Sequence, residues 1–382
     1  MTALFVIIGA IMFVGLVIVH EFGHFIVARR NSIDVDEFGV GFPPRAKLLK
    51  KINGTEYTLN WLPLGGFVKL KGEYDEAKGD ATFGSSPLWV KAKVLLAGVA
   101  MNLLTAFVLF TIVALIGMPQ FIKDQYTVES DSRISQQAEN EGIVTVNEVF
   151  PGSPAESANI AKGDRIKSIA DIEIASPVEI GQVVETRAGQ TVQIAIEETD
   201  GKLRTADVTL NDSEKAKKDG YLGIKSESKQ TGITLRRSTW SAPIVALGTM
   251  WQFTELTLKG LGTAVSNLFM GNIEKAKEQV GGPVAIGGLL IEGSRLGFSV
   301  MLMIIALISL TLAIMNVLPI PALDGGRLFV TLLYRVADKI SRLLNRQRIV
   351  LTRNVEERIH GTGFVALLFL SALIIVADIS RL

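Results

Sequence analysis

His20-Glu21-Phe22-Gly23-His24 places two of the chain's three histidines four residues apart, with a carboxylate between them. On a helix, positions i and i+4 share a face, so both imidazoles reach one divalent cation. Glu21 then stands beside it to take a proton from bound water. The surrounding run, Ala3–Ala28, is apolar. An ionisable side chain near the centre of a membrane helix costs roughly 2.5 kcal/mol or more, so three within five residues need a partner that offsets the cost. A Zn2+ ion is such a partner. With no cysteine in the chain, thiolate sites and disulfides are excluded, and every metal ligand must be His, Asp or Glu.

Catalytic zinc takes three protein ligands and keeps a position open for water. Candidates for the third ligand are Asp34, Asp36, Glu37, Asp324 and His360. Depth favours Asp324. It closes the stretch Asn316-Val-Leu-Pro-Ile-Pro-Ala-Leu-Asp-Gly-Gly-Arg327, where Pro319 and Pro321 must break a helix and leave irregular chain that can fold back. Asn102 lies in another apolar run, ~13 Å from Lys93 at 1.5 Å per residue, and His20 and His24 sit about 6–12 Å from the end of theirs.

Those depths require membrane spans. The chain has 382 residues, 48% of them hydrophobic, and a mean hydropathy of +0.36, ordinary for a protein with several spans. Its formal charge of +1 gives no basic field for nucleic acid. Four runs approach the ~20 residues that a bilayer needs: Ala3–Ala28, Val94–Gly117, Phe298–Leu318 and the shorter Gly363–Ala377. The first lacks the basic flank and cleavage site of a signal peptide. Arg29–Lys93 carries eleven Lys/Arg, and Arg327–Gly361 carries eight against three Asp/Glu. The positive-inside rule puts these two loops in the cytoplasm and both termini outside. The long segment between the second and third spans has 19 Lys/Arg against 24 Asp/Glu and is extracytoplasmic.

Between the spans, Asn53-Gly54 predicts a hairpin turn, because both positions need φ > 0. Pro63 and Gly65-Gly66 predict a further bend, which makes residues 31–92 a re-entrant β-element and loop. From Gly142 to about 228, short β-branched runs alternate with turns. The order strand, Pro-Gly-Ser-Pro-Ala-Glu, short helix, Gly-Asp, strand, helix and two strands resembles a bacterial PDZ domain. Ser241–Met270 is apolar, but Glu255 and Lys259 fall mid-run at i,i+4, so residues 229–297 read as amphipathic surface helices.

Taken together, HEFGH, GFPPR, LPLGGFVKL, GVAMN, the PDZ pattern, GGPVAIGG and NVLPIPALDGGRL resemble, in order, the bacterial site-2 proteases, within them the regulator of sigma-E protease group. The resemblance implies an intramembrane zinc metalloprotease, with zinc on His20, His24 and Asp324 and Glu21 as general base. It implies a substrate-positioning role for Asn102 and Asn316, and the β-element with Gly65 and Gly66 offers strand addition to an extended substrate. The expected partners are transmembrane protein substrates such as anti-sigma factors or signal-peptide remnants, the lipid bilayer, and a peptide at the PDZ domain. The expected setting is regulated intramembrane proteolysis in a bacterial inner membrane. Two departures stand out: Val99 occupies a position where the family often has proline, and there is room for one PDZ domain rather than two.

The expected fold is therefore a polytopic α-helical membrane protein of four transmembrane helices, with a β-hairpin element and one extracytoplasmic PDZ (α+β) domain. The helices occupy 1–30, 93–117, 298–326 and 363–380. Residues 118–141 are a linker, 142–228 the PDZ domain and 327–362 a cytoplasmic loop. The alternative function is a membrane-anchored PDZ scaffold with a non-catalytic metal site. A purely structural site has no use for Glu21, which argues against it.

Overall fold

A computed structural model describes residues 2–379 except 75–76, 78, 123, 137–138, 175–176, 217–219, 232, 272–287, 289–290, 292, 294 and 348. Most of the GGPVAIGG stretch, residues 281–287, lies outside the described residues. The chain divides into two compact units, Met1–Ser135 with Leu235–Leu382, and Gln136–Thr234.

The first unit begins with α1 (Thr2–Arg30), followed by β1 (Val35–Ile52), β2 (Thr55–Leu70) and α2 (Leu88–Ile116). It continues with β3 (Met118–Pro119) and β4 (Arg133–Gln136). The second unit holds β5 (Glu139–Val149), α3 (Pro154–Ser157), β6 (Arg165–Ile169), β7 (Ile172–Glu173), α4 (Pro177–Glu185), β8 (Thr191–Glu197), β9 (Leu203–Thr209) and β10 (Ile224–Thr231). The chain then returns to the first unit with β11 (Leu235–Arg237), α5 (Ala242–Phe269), α6 (Phe298–Val317), α7 (Asp324–Leu343) and α8 (Arg353–Ile379).

Three helical segments, Ile11–Arg30, Leu88–Ile116 and Phe298–Val317, are long and apolar enough to cross a membrane. They are apolar all round, with no polar face to turn toward water, as a helix must be when lipid and protein surround it. The chain is thus a polytopic helical membrane protein with added β structure. Of the four expected spans, these three meet the length and composition required.

α2 is the hub of this unit. Its Ala106, Phe110 and Val113 pack with Ala242, Val245 and Ala246 of α5 and with Leu302, Met303 and Leu310 of α6. The start of α5 is therefore buried against two apolar helices. Its later turns carry the exposed Lys259–Glu255 ion pair at 2.6 Å, at the i,i+4 spacing legible in the sequence.

β1 and β2 form more than a simple hairpin. Asn53 and Gly54 both have positive φ (48° and 86°), as the tight turn demands. Each strand bends back, so residues 35–40 pair twice: Val35 with Leu70 and Val40 with Gly66 on one side, Glu37 with Glu56 and Val40 with Leu59 on the other. The stretch 45–52 then pairs outside 55–60. Thr55 and Asn60 donate side-chain hydrogen bonds to the carbonyls of Val35 and Gly41, which pins the curl. Residues 66–70 are left along one edge.

The second unit is a six-stranded sheet, β10-β5-β6-β8-β9 with β7 on β6. Alternation of apolar and polar residues along β8 buries Val192, Ile194 and Ile196 together, and they pack on Val144, Val146, Ile166 and Ile169. Ser153 caps α3 by accepting from the Glu156 backbone N–H at 3.2 Å, and Pro154 opens that helix.

Candidate metal centre

His20 and His24 project from the last third of α1, and their rings lie edge to face with centroids 4.9 Å apart. Asp324 reaches them as the first residue of α7, where a carboxylate suits the helix N-terminus. His20 Nε2 lies 3.1 Å from Asp324 Oδ2, His24 Nε2 lies 3.3 Å from it, and the two Nε2 atoms are 3.2 Å apart. Both histidines are buried, and among the described residues Asp324 Oδ2 has no hydrogen-bond donor.

This triangle fits zinc. Tetrahedral ligation at 2.0–2.1 Å separates neighbouring donors by about 3.3 Å. The tautomers fit as well. His24 Nδ1 donates to the Val94 carbonyl at 2.7 Å, which leaves Nε2 with its lone pair. The amide of Asn102 lies 3.1 Å from His20 Nδ1. A ligating Nε2 carries no proton, so Nδ1 must hold it and needs an acceptor. Turning the Asn102 amide over, so that Oδ1 takes the place of the Nδ2 now at 3.1 Å, supplies that acceptor. Asn102 is held in turn through its backbone carbonyl, which accepts from Ser309 Oγ of α6 at 2.9 Å.

Glycines set the clearances. A β-carbon on Gly98 of α2 would stand 2.5 Å from both His20 Cε1 and His24 Nε2, so α2 must be bare where the imidazoles lie. One on Gly23 would meet the Ala97 carbonyl oxygen at 2.6 Å, so the motif's own glycine lets α1 and α2 approach. Gly325 and Gly326 are wedged against the backbone of Val317–Ile320, where β-carbons would meet carbonyl oxygens at 2.2 and 2.0 Å. The chain can therefore turn back sharply and start α7 beside the end of α6.

The remaining candidates lie elsewhere. Asp34 pairs with Lys71 at 3.1 Å and Arg29 at 3.6 Å, while Glu37 accepts from Thr58 Oγ1 at 2.7 Å and pairs with Arg45. Asp36 is exposed. The third histidine, His360 of α8, accepts at Nδ1 from the Ala322 backbone N–H at 3.3 Å, so it braces the loop that presents Asp324. Arg327 completes the brace with bonds to the Glu73 carboxylate at 3.1 Å and carbonyl at 3.2 Å. Asn316 is the penultimate residue of α6, half-buried, and among the described residues its side chain makes no hydrogen bond. Glu21 faces the β-element: a β-carbon on Gly66 would lie 3.4 Å from Glu21 Cγ and 3.1 Å from the Gly39 carbonyl oxygen. Gly65 has φ +101°, and a β-carbon there would overlap Phe42.

Sequence reasoning missed Gly98 as a clearance, Ser309 as an anchor and the bracing by His360 and Arg327. Ser309 shares its apolar run with Ser299 and Thr311, so no residue pattern singled it out. The others depend on which helices meet.

The chain has relatives that it matches over most of their length. A candidate zinc metalloprotease of Clostridium perfringens is 30% identical over 98% of both chains. One of Clostridium acetobutylicum is 28% identical over 87% of this chain and 88% of its own. One of Campylobacter jejuni is 28% identical over 96% of this chain and 91% of its own. A sequence model of peptidase family M50 matches residues 8–353. With a His-His-Asp cluster whose edges suit zinc, buried among helices fit to cross a membrane, the chain belongs to peptidase family M50 and is a zinc-dependent metalloendopeptidase.

Proposed function

We propose that this protein is an intramembrane protease of the site-2 type that cuts membrane-protein substrates within or beside their transmembrane segments. The observation that carries the reading is the burial of the His20, His24 and Asp324 donors between apolar helices, with Glu21 against the β-element. His20, His24 and Asp324 hold the metal, and Glu21 is the catalytic residue. When bound there, zinc would lower the pKa of a water toward ~7 and polarise a substrate carbonyl. Glu21 takes the proton and delivers it to the leaving amine.

A helical substrate shields its peptide bonds with its own turns, so a segment must unwind before it is cut. The strand edge at residues 66–70, entered through the glycines Gly65 and Gly66, receives the extended segment by backbone pairing. Asn102 serves the site through His20, and Asn316 is assigned to substrate contact.

In this reading α8 supplies a fourth span at 363–380, and both basic loops face the cytoplasm of a bacterial inner membrane. Residues 142–228 form a single extracytoplasmic PDZ domain that meets a peptide or substrate segment and favours substrates already trimmed, in regulated intramembrane proteolysis of the sigma-E regulator kind. The order strand, Pro-Gly turn, capped helix and strand within β5–β6 supports that assignment.

The test is Glu21→Gln in proteoliposomes with a single-span substrate. Zinc content stays at the wild-type level and proteolysis falls by at least ~10²–10⁴-fold, the usual worth of a general base. Full proteolysis by the variant overturns the reading.

A further inference from the structure

α7 is turned inside out. Its protein-facing side is small or polar, with Gly325, Gly326, Thr331, Asp338 and Ser341 buried beside Val330. Its outward side is the apolar one. Phe329, Leu332, Leu333, Val336, Ile340 and Leu343 recur at helical spacing and are 40–75% exposed. A water-facing helix would be built the other way round. Nor is α7 a span, since Arg335, Asp338, Lys339 and Arg342 interrupt it within two turns.

A third stripe borders the apolar one. Arg335, Lys339 and Arg342 follow at i, i+4 and i+7, with Arg346 continuing the line just past the helix; all four are exposed, and Arg342 is paired with Asp338. An apolar face flanked by cations is the pattern of a helix lying in the plane of a membrane interface, with its cations at lipid phosphates. The position agrees. Six residues separate the start of α7 from the end of α6 at Val317, where a spanning helix leaves the bilayer. Its first residue is Asp324, and Gly325 and Gly326 are wedged against the backbone of Val317–Ile320, so α7 cannot tilt without moving that carboxylate.

We propose that α7 docks on anionic lipid at the leaflet nearest the metal centre, and that this docking holds Asp324 at His20 and His24, so that zinc retention depends on anionic lipid. The proposal rests on the reading that α1, α2 and α6 span a bilayer. The occupant of the apolar face is a lipid surface rather than a protein because the cationic stripe beside it matches phosphate.

The chain has no cysteine, so single labels are simple to place. The full-length protein carries a nitroxide at Val336→Cys, or at Leu104→Cys on the exposed side of α2, in nanodiscs of phosphatidylcholine with or without phosphatidylglycerol. The label at 336 is relaxed by oxygen and not by a water-soluble chromium complex. Zinc affinity, read by chelator competition on unlabelled protein, is about tenfold or more higher with phosphatidylglycerol, within the range for groups that position metal ligands. The triple variant Arg335→Gln, Lys339→Gln, Arg346→Gln keeps its fold and loses that lipid dependence. Water contact at 336 with Leu104 in lipid overturns the docking alone, and water contact at both overturns the spanning reading with it. Spin–spin broadening at 336 assigns the face to a second copy, and zinc affinity indifferent to phosphatidylglycerol removes the coupling. Either result overturns the proposal.

Discussion

The metal centre and the core of the second unit are both buried, but by opposite means. The second unit closes over Val144, Val146, Ile166, Ile169, Ile194 and Ile196, none more than marginally exposed, and sends its polar groups to the surface. The metal centre buries two imidazoles, an amide and a carboxylate oxygen, and gives each a directed partner or leaves it facing the other ligand atoms. In the first region stability comes from area removed from water, so any apolar residue of similar volume serves. In the second, geometry and protonation decide, and an apolar replacement of equal volume keeps the fold and loses the chemistry.

The largest expected effect separates the two regions cleanly. Asp324→Ala removes one of the donors sharing the roughly 10–16 kcal/mol typical of protein-bound zinc, so retention weakens on the order of a thousandfold. Chelator competition measures this, and hydrogen exchange in β6 and β8 stays as in wild type. Wild-type zinc affinity in this variant would remove Asp324 from the ligand set.

The converse is Ile194→Ala. It opens a cavity in the second unit and costs about 2–5 kcal/mol there. Denaturant-dependent exchange of the β8 amides reports the loss, while zinc content is unchanged. A fall in zinc would mean that the regions are not independent.

A smaller effect sharpens the view of the centre itself. Asn102→Ala removes the acceptor of His20 Nδ1–H and weakens zinc binding by ~10–100-fold, whereas Asn102→Asp, which still accepts, restores most of it. If Asp fails where Asn succeeds, the amide does more than fix the tautomer.

The smallest effect concerns a polar device that needs no metal. Asp131 anchors the start of α5, accepting from Ser241 Oγ at 2.6 Å and N at 3.0 Å and from Thr239 N at 2.8 Å and Oγ1. Partial desolvation pushes its carboxyl up, but these four bonds outweigh it and hold the group well below the usual carboxylate range. Its contribution is present above the ordinary value of ~3.9 and is lost as pH falls through the lower folded value. Exchange protection of the Thr239 and Ser241 amides therefore drops with acid below about pH 4 in wild type. In Asp131→Asn it shows no such step.

Much of the site was legible because its spacing is local. His20 and His24 share a helix face by period alone, and Asn53-Gly54 specifies its turn by backbone sterics. The apolar runs read as spans by length, although α2 starts earlier than Val94, at Leu88, because Pro87 and not the charge of Lys91 or Lys93 marks its beginning. The double pairing of residues 35–40 was not legible. Pro43-Pro44 and Pro63 announce bends, but which strands the bends bring together depends on register.

By itself the sequence determined the metal-binding pair and the carboxylate beside it, the membrane-spanning character of three helices, and the irregular chain before Asp324. Each follows from residue type and short-range period. Only the tertiary structure decided which of five candidate carboxylates and imidazoles meets the pair, why Gly23, Gly98, Gly325 and Gly326 must be bare, and that His360 braces the loop instead of ligating. It also decided that α7 turns its apolar stripe away from the protein. The period along a helix states that two faces differ, whereas packing against distant segments determines which face looks inward.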